Sequence, residues 1–275
     1  MRHPSAVLAA LVLSLSAVAP VASAAPSAPA RAEVDFAGIV SLSGCSGAVV
    51  RPPAYDPADP ALVMTNGHCV RFLEPREVLV DLPSDREFKL LDTDGDGSLG
   101  KLRASTLVYA TMTGTDIALY RVESTYAEVE AKGSRALELS PEQPGTGADI
   151  NVVSGYWRNV YACKVDGYVH ELREGRWAWQ GSMRYTEECR TRGGTSGSPV
   201  VDVATGKVVA VNNTGNENGE RCTLNNPCEV DEHGEVVVRR GTGYAQRTHP
   251  LVPCLTGGGR VDLTAPGCGL PRPGR

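Results

Sequence analysis

Short apolar or β-branched runs of four to seven residues, each closed off by Gly, Pro, Asn or Asp, recur from Val34 to about Pro250. They are Gly38–Leu42, Ser46–Val50, Ala61–Met64, Glu77–Asp81, Leu107–Thr111, Asp116–Val122, Ile150–Val153, Pro199–Val203, Lys207–Val211 and Glu235–Arg239. Runs of that length and punctuation read as strands joined by turns. Helical periodicity is weak after the amino terminus, with Ser124–Arg135 long enough for a turn or two. A parallel sheet needs strands alternating with helices, so this pattern points to an all-β chain, a sandwich or a pair of barrels. Three Phe among 275 residues leave Val, Ile, Leu and Ala to build the interior, and 30 Gly supply the turns. No internal repeat is visible. The clearest break is Ser140-Pro-Glu-Gln-Pro-Gly-Thr-Gly147, which divides the chain into β halves at 36–140 and 141–250, followed by a Gly/Pro-rich tail at 251–275.

The amino terminus carries Arg2 and His3, an apolar run from Ala6 to Val18, and the small-x-small stretch Ala22-Ser23-Ala24. This is the pattern of a cleaved export signal over residues 1–24, with 25–35 as a short lead-in or pro-segment. No later segment approaches the roughly 20 apolar residues of a membrane span. A secreted, extracellular protein without membrane attachment is expected. In that compartment the eight cysteines read as disulfides. Zinc is the competing use, but the close pair Cys222 and Cys228 has no second pair at finger spacing. The net charge of −5 comes without a basic stripe, which disfavours a nucleic-acid partner.

Three segments carry chemistry. In Ala61-Leu-Val-Met-Thr-Asn-Gly-His-Cys-Val70 an apolar strand runs into a turn that ends on His68. In Gly114-Thr-Asp-Ile-Ala-Leu-Tyr120 a single carboxylate, Asp116, stands at the mouth of an apolar strand. In Gly193-Gly-Thr-Ser-Gly-Ser-Pro-Val200 a glycine-flanked turn presents Ser196. A serine hydroxyl is a poor nucleophile until a base takes its proton, and an imidazole suits that task near neutral pH. A buried carboxylate fixes the imidazole tautomer, and glycines let backbone N–H groups approach a developing oxyanion. The order His, Asp, Ser differs from the orders of subtilisin-type enzymes and α/β-hydrolases.

Thr65-Asn-Gly-His-Cys69, Asp116-Ile-Ala-Leu119 and Gly194-Thr-Ser-Gly-Ser-Pro199 resemble the three signature segments of chymotrypsin/trypsin-like serine endopeptidases. The G-x-S-G-S-P form is similar to that of secreted bacterial members, glutamyl endopeptidases among them. Cys45-Ser-Gly-Ala-Val-Val50 resembles the family strand whose cysteine bridges to the one beside the histidine. The resemblance implies two antiparallel β-barrels with the active site in the cleft between them. It implies Ser196 as nucleophile, His68 as general acid/base, Asp116 as orienting carboxylate, and the Gly194 and Ser196 N–H groups as oxyanion donors. Arg190, Thr191, Asn212, Asn213 and Thr214 fall where the specificity pocket is expected. The suggested bridges are Cys45–Cys69, Cys163–Cys189, Cys222–Cys228 and Cys254–Cys268, with Cys189–Cys222 as the competing choice. Protein or peptide substrates, no cofactor and a monomer are expected. The readings kept beside the endopeptidase are a catalytically silent homologue acting as a binding module and an esterase on the same triad.

The chain also departs from the family. Thr195 stands where trypsin-like zymogens carry the acid that pairs with a newly cut amino terminus, and a neutral side chain cannot stabilise a buried ammonium. The chain is therefore expected to fold active without cleavage at Ile39. Arg190 would favour an acidic substrate side chain if it lay at the pocket base, and it can equally project outward. Asp92, Asp94 and Asp96 copy the start of a calcium loop, but Arg103 replaces the bidentate acid at the twelfth position. That stretch reads as a hydrophilic hairpin tip rather than a metal site.

Overall fold

A computed structural model describes Met1 and residues 34–274. The expected export signal, residues 1–24, and the lead-in up to residue 33 lie outside the described residues, apart from Met1.

Six strands make the first barrel: β1 (Ile39–Leu42), β2 (Cys45–Arg51), β3 (Pro60–Thr65), β4 (Glu87–Leu90), β5 (Gly100–Thr111) and β6 (Ile117–Thr125). All pairings are antiparallel, and they run β1-β2-β3-β6-β5-β4 and back to β1, so the sheet closes. Val40, Val49, Val63, Phe88, Leu102 and Tyr120 fill the interior. In β5 the first half alternates buried and exposed residues, whereas the last five are all buried. Its outward-facing Val108 and Tyr109 are covered by Leu251, Cys254 and Leu270 of the tail. The Tyr109 hydroxyl donates to the Pro271 carbonyl at 2.9 Å.

After β6 comes one short helix, α1 (Tyr126–Ala131), within the stretch expected to hold a turn or two. A capping box starts it: the Glu128 N–H donates to Thr125 Oγ1, and the Thr125 N–H donates to Glu128 Oε2. The chain then crosses between halves. Leu137–Glu138 pairs in parallel with β2, and the Ser140 N–H donates to the Val208 carbonyl.

The second barrel contains β7 (Asp149–Ser154), β8 (Asn159–Tyr168), β9 (Met183–Tyr185), β10 (Pro199–Asp202), β11 (Val208–Gly215) and β12 (Gly243–Arg247). It closes in the order β7-β8-β9-β12-β11-β10. This is the order of the first barrel repeated, so the chain contains a repeat of topology that no repeat of residues betrays. The fold is the all-β pair of antiparallel barrels that the resemblance implied.

Between β8 and β9 the hairpin Glu171–Glu174/Trp177–Gln180 leaves the barrel and joins Cys228–Val230 and Val236–Val237 in a separate sheet. The expected strand Glu235–Arg239 shrinks there to Val236–Val237.

Four disulfides join Cys45–Cys69, Cys163–Cys189, Cys222–Cys228 and Cys254–Cys268, and no described cysteine is free. Closing the 24-residue separation between Cys45 and Cys69 removes unfolded-state freedom equivalent to about 3 kcal/mol on a chain-entropy model. Among the described residues no helix is long and apolar enough to cross a membrane.

Candidate active site

The first barrel supplies His68 and Asp116. Strand β3 ends at Thr65, and the turn that follows is pinned to the start of β6. Asn66 Nδ2 donates to the Asp116 carbonyl oxygen at 2.8 Å, and the His68 N–H donates to Asp116 Oδ1 at 3.1 Å. A Cβ at Gly67 would overlap the Thr111 carbonyl oxygen, so glycine is what lets the turn pack this closely. His68 Nδ1 then lies 2.7 Å from Asp116 Oδ2. The Asp116 side chain is 1% exposed and that of His68 is 18% exposed. A carboxylate at that distance accepts from Nδ1–H, which leaves Nε2 as the basic nitrogen. Burial lowers the His68 pKa, but the Asp116 charge and hydrogen bond, with the Glu174 charge, outweigh it and hold it above the ordinary histidine value.

The second barrel supplies Ser196, on the turn that leads into β10. Its hydroxyl donates to the Asn213 carbonyl oxygen at 3.1 Å. The turn is fastened to the first barrel through Ser46: the Ser46 N–H donates to the Ser196 carbonyl at 2.7 Å, and Ser46 Oγ donates to the Gly194 carbonyl at 3.1 Å. Gly197 has φ +82°, and a Cβ there would overlap the Ser46 carbonyl oxygen and Thr65 Oγ1. No other residue fits between the halves at this point. The Cys45–Cys69 bridge joins the neighbours of Ser46 and His68, so one crosslink braces both turns.

Gly194 takes φ +93°. Trp157 Nε1 donates to the Gly193 carbonyl at 2.8 Å, and in a trans peptide this turns the Gly194 N–H away from Trp157. Thr195 is buried and satisfied without any charge. Its hydroxyl donates to the Arg192 carbonyl at 2.6 Å and accepts from Asn212 Nδ2 at 3.0 Å. Ile39 is buried in β1, its N–H donating to the Phe36 carbonyl.

His68, Asp116 and Ser196 share a cavity of about 350 Å³, and Arg190, Thr191, Asn212, Asn213 and Thr214 line it too. Their environments differ. Arg190 is exposed, whereas the Asn212 amide is tied to Thr195 and to the Tyr185 hydroxyl. Both side-chain polar atoms of Asn213 are buried without a hydrogen-bond partner.

Sequence reasoning missed several contributors, among them Ser46, Phe72, Trp157, Glu174 and Trp177. Phe72 and Glu174 line the cavity together with Trp177. Trp177 and Trp179 reach across to the first barrel, their indole N–H groups donating to the Leu73 and Met112 carbonyls. In Glu171-Leu-Arg-Glu-Gly-Arg-Trp177 the alternating charges look like an exposed hairpin, and only its folding across the cleft buries Glu174.

Asp92, Asp94 and Asp96 lie on the turn between β4 and β5, where Gly95 takes φ +81°. Among the described residues, the only three or more His, Cys, Asp or Glu whose ligand atoms converge are Cys45, His68 and Cys69, and both cysteines are in a disulfide.

Residues 45–211, more than half of the chain, match the family model of the trypsin-like peptidase domain. The chain belongs to the trypsin-like peptidase family. Its fold is thus that of a peptidase, which implies peptide substrates. Among the solved structures this trypsin-like peptidase resembles is the MamO protease domain from Magnetospirillum magneticum. That match has 16% identity over 80% of this chain and 97% of that one, at a TM-score of 0.49. Nocardiopsis protease is 13% identical over 79% and 94% of the two chains, at a TM-score of 0.44. A Glu endopeptidase is 14% identical over 77% and 85%, also at 0.44. Among curated proteins the sequence search found no match.

Proposed function

We propose that this peptidase is a secreted serine endopeptidase working through an acyl-enzyme on Ser196. The observation that carries the reading is the buried 2.7 Å contact between His68 Nδ1 and Asp116 Oδ2, on the cavity that also holds Ser196. The Ser196 hydroxyl turns from Asn213 to His68 Nε2 and attacks the peptide carbonyl as Nε2 takes its proton. The N–H groups of Gly194 and Ser196 receive the oxyanion, with the first held by the Trp157–Gly193 bond. The imidazolium, stabilised by Asp116, passes the proton to the leaving amine as the C–N bond breaks. Water, deprotonated by His68, then attacks the acyl carbon, and the imidazolium returns that proton to the Ser196 oxygen as the ester C–O bond breaks. Secretion is supported by four disulfides of the kind kept in oxidising compartments.

The test is an active-site-directed fluorophosphonate on the folded protein, alongside casein hydrolysis. An adduct on Ser196 that stops casein cleavage is expected. A folded protein that takes no adduct at Ser196 is the binding module, and one that cleaves esters but not casein is the esterase.

The pH profile follows from His68. Its neutral form is the base, and its pKa lies above the usual value of about 6.5. kcat/KM should therefore rise with pH through a pKa above that value and fall on acidification through it. An acidic limb centred below about 6.5 would mean that burial of the ring outweighs the Asp116 and Glu174 carboxylates.

A further inference from the structure

Glu174 is a buried carboxylate to which the mechanism gives no task. It is 4% exposed, at the end of the strand Glu171–Glu174, and it lines the same cavity as His68 and Ser196. Oε1 accepts from the Asn225 N–H at 2.8 Å, whereas Oε2 is buried with no hydrogen-bond partner. Among the described residues no ion pair involves it. Two aromatic rings line the same cavity, and one of them, Trp177, is the cross-strand partner of Glu174. Phe72 is 53% exposed and stacks on Trp177 at 5.6 Å between ring centroids, with the His68 ring 6.3 Å from Phe72 on its other contact.

A carboxylate taken out of water with an unused oxygen is unfavourable unless a donor arrives to meet it. Burial pushes its pKa above the ordinary carboxylate range, against the pull of Thr214, the Asn225 N–H and His68, while Asp116 adds to the rise. The donor that best answers a carboxylate between aromatic faces is a cation on an apolar stem, which gains both a charge-assisted hydrogen bond and contact with the rings. The two arginines on the cavity do not serve. Arg190 and Arg192 belong to the segment before Ser196, and Arg192 lies 3.6 Å over the Trp157 ring. Glu217, exposed on the same cavity, adds negative charge.

We propose that Glu174, flanked by Phe72 and Trp177, forms a substrate subsite for a Lys or Arg side chain near the scissile bond. This rests on the endopeptidase reading and adds to it the class of peptide preferred. The entering ammonium or guanidinium donates to Oε2 and leaves Glu174 ionised, so the cation and the carboxylate neutralise each other inside the cleft.

A positional-scanning peptide library, cleaved by the wild type and by Glu174→Gln, tests it. In the wild type, Lys or Arg should be enriched at one position flanking the scissile bond. In Glu174→Gln the ratio of kcat/KM for a Lys peptide over its norleucine counterpart should fall about 10-fold or more, the scale of a lost charge-assisted hydrogen bond. Fluorophosphonate labelling of the variant shows that it is folded with a working nucleophile. A wild type that cleaves casein and labels at Ser196 but shows no Lys or Arg enrichment overturns the subsite alone. An equal fall for every peptide, with a displaced acidic limb, overturns it in favour of an electrostatic role toward His68. A wild type that neither labels nor cleaves overturns the endopeptidase reading and the subsite together. Enrichment of Asp or Glu instead assigns selectivity to Arg190 and also overturns the subsite.

Discussion

Ser196→Ala should lower casein hydrolysis by about 10⁶-fold while leaving the melting temperature close to that of the wild type. The reason for the first half is chemical, because alanine has no oxygen with which to form the acyl-enzyme. The reason for the second lies in the bonds around the turn. The structural ties of Ser196 run through its backbone, the carbonyl accepting from the Ser46 N–H at 2.7 Å. The hydroxyl makes one hydrogen bond, to the Asn213 carbonyl at 3.1 Å, and its loss leaves an acceptor beside an open cavity that water can reach. Ser196 is half-buried, and the smaller methyl group opens no sealed void. A folded variant retaining more than a hundredth of wild-type casein hydrolysis would remove Ser196 as the nucleophile.

Asp116→Asn should reduce kcat by about 10⁴-fold, and here the hydrogen bonds dictate how. The two carboxylate oxygens have separate tasks: Oδ1 accepts from the His68 N–H at 3.1 Å, and Oδ2 faces His68 Nδ1 at 2.7 Å. An asparagine must keep its oxygen on the backbone N–H, which has no other acceptor, so its NH₂ group faces Nδ1. Nδ1 then has to be the acceptor, and the proton moves to Nε2. An Nε2 that already carries a proton has no lone pair with which to take one from Ser196. The fold should survive, because the side chain changes little in size and the Asp116 carbonyl still accepts from Asn66 Nδ2. The readout is kcat against melting temperature. A variant within tenfold of the wild type at neutral pH would show that tautomer control by Asp116 is not what drives the reaction.

How much of this was legible in the residues depends on where the constraint lies. The strands read correctly, such as Cys45–Arg51 and Pro60–Thr65, are those whose apolar content is continuous because both faces are covered. Asn159–Tyr168 escaped notice because charged and polar residues alternate with a few buried ones on a half-solvated surface. Gly243–Arg247 escaped because its burial comes from closing the barrel and not from its own hydrophobicity. His68, Asp116 and Ser196 stood out since each ends or begins an apolar run at a glycine-bearing turn. Ser46 and Trp157 did not, because their importance lies in which carbonyl of the Ser196 loop each happens to face. The same is true of Glu174, whose unmet oxygen is a property of the fold around it. The duplication of barrel order was invisible because pairing order is kept by hydrogen bonds that any sequence can make.

The position of β12 has a consequence in time. It closes the second barrel by lying between β9 and β11, and β11 carries the Asn213 carbonyl that holds the Ser196 hydroxyl. A chain that stops short of Gly241 already contains His68, Asp116 and Ser196, yet β11 has a bare edge and the cleft lacks the wall formed by Gly241 to Gly243. On the proposed reading, hydrolytic power therefore arrives only once the closing strand has paired on both sides.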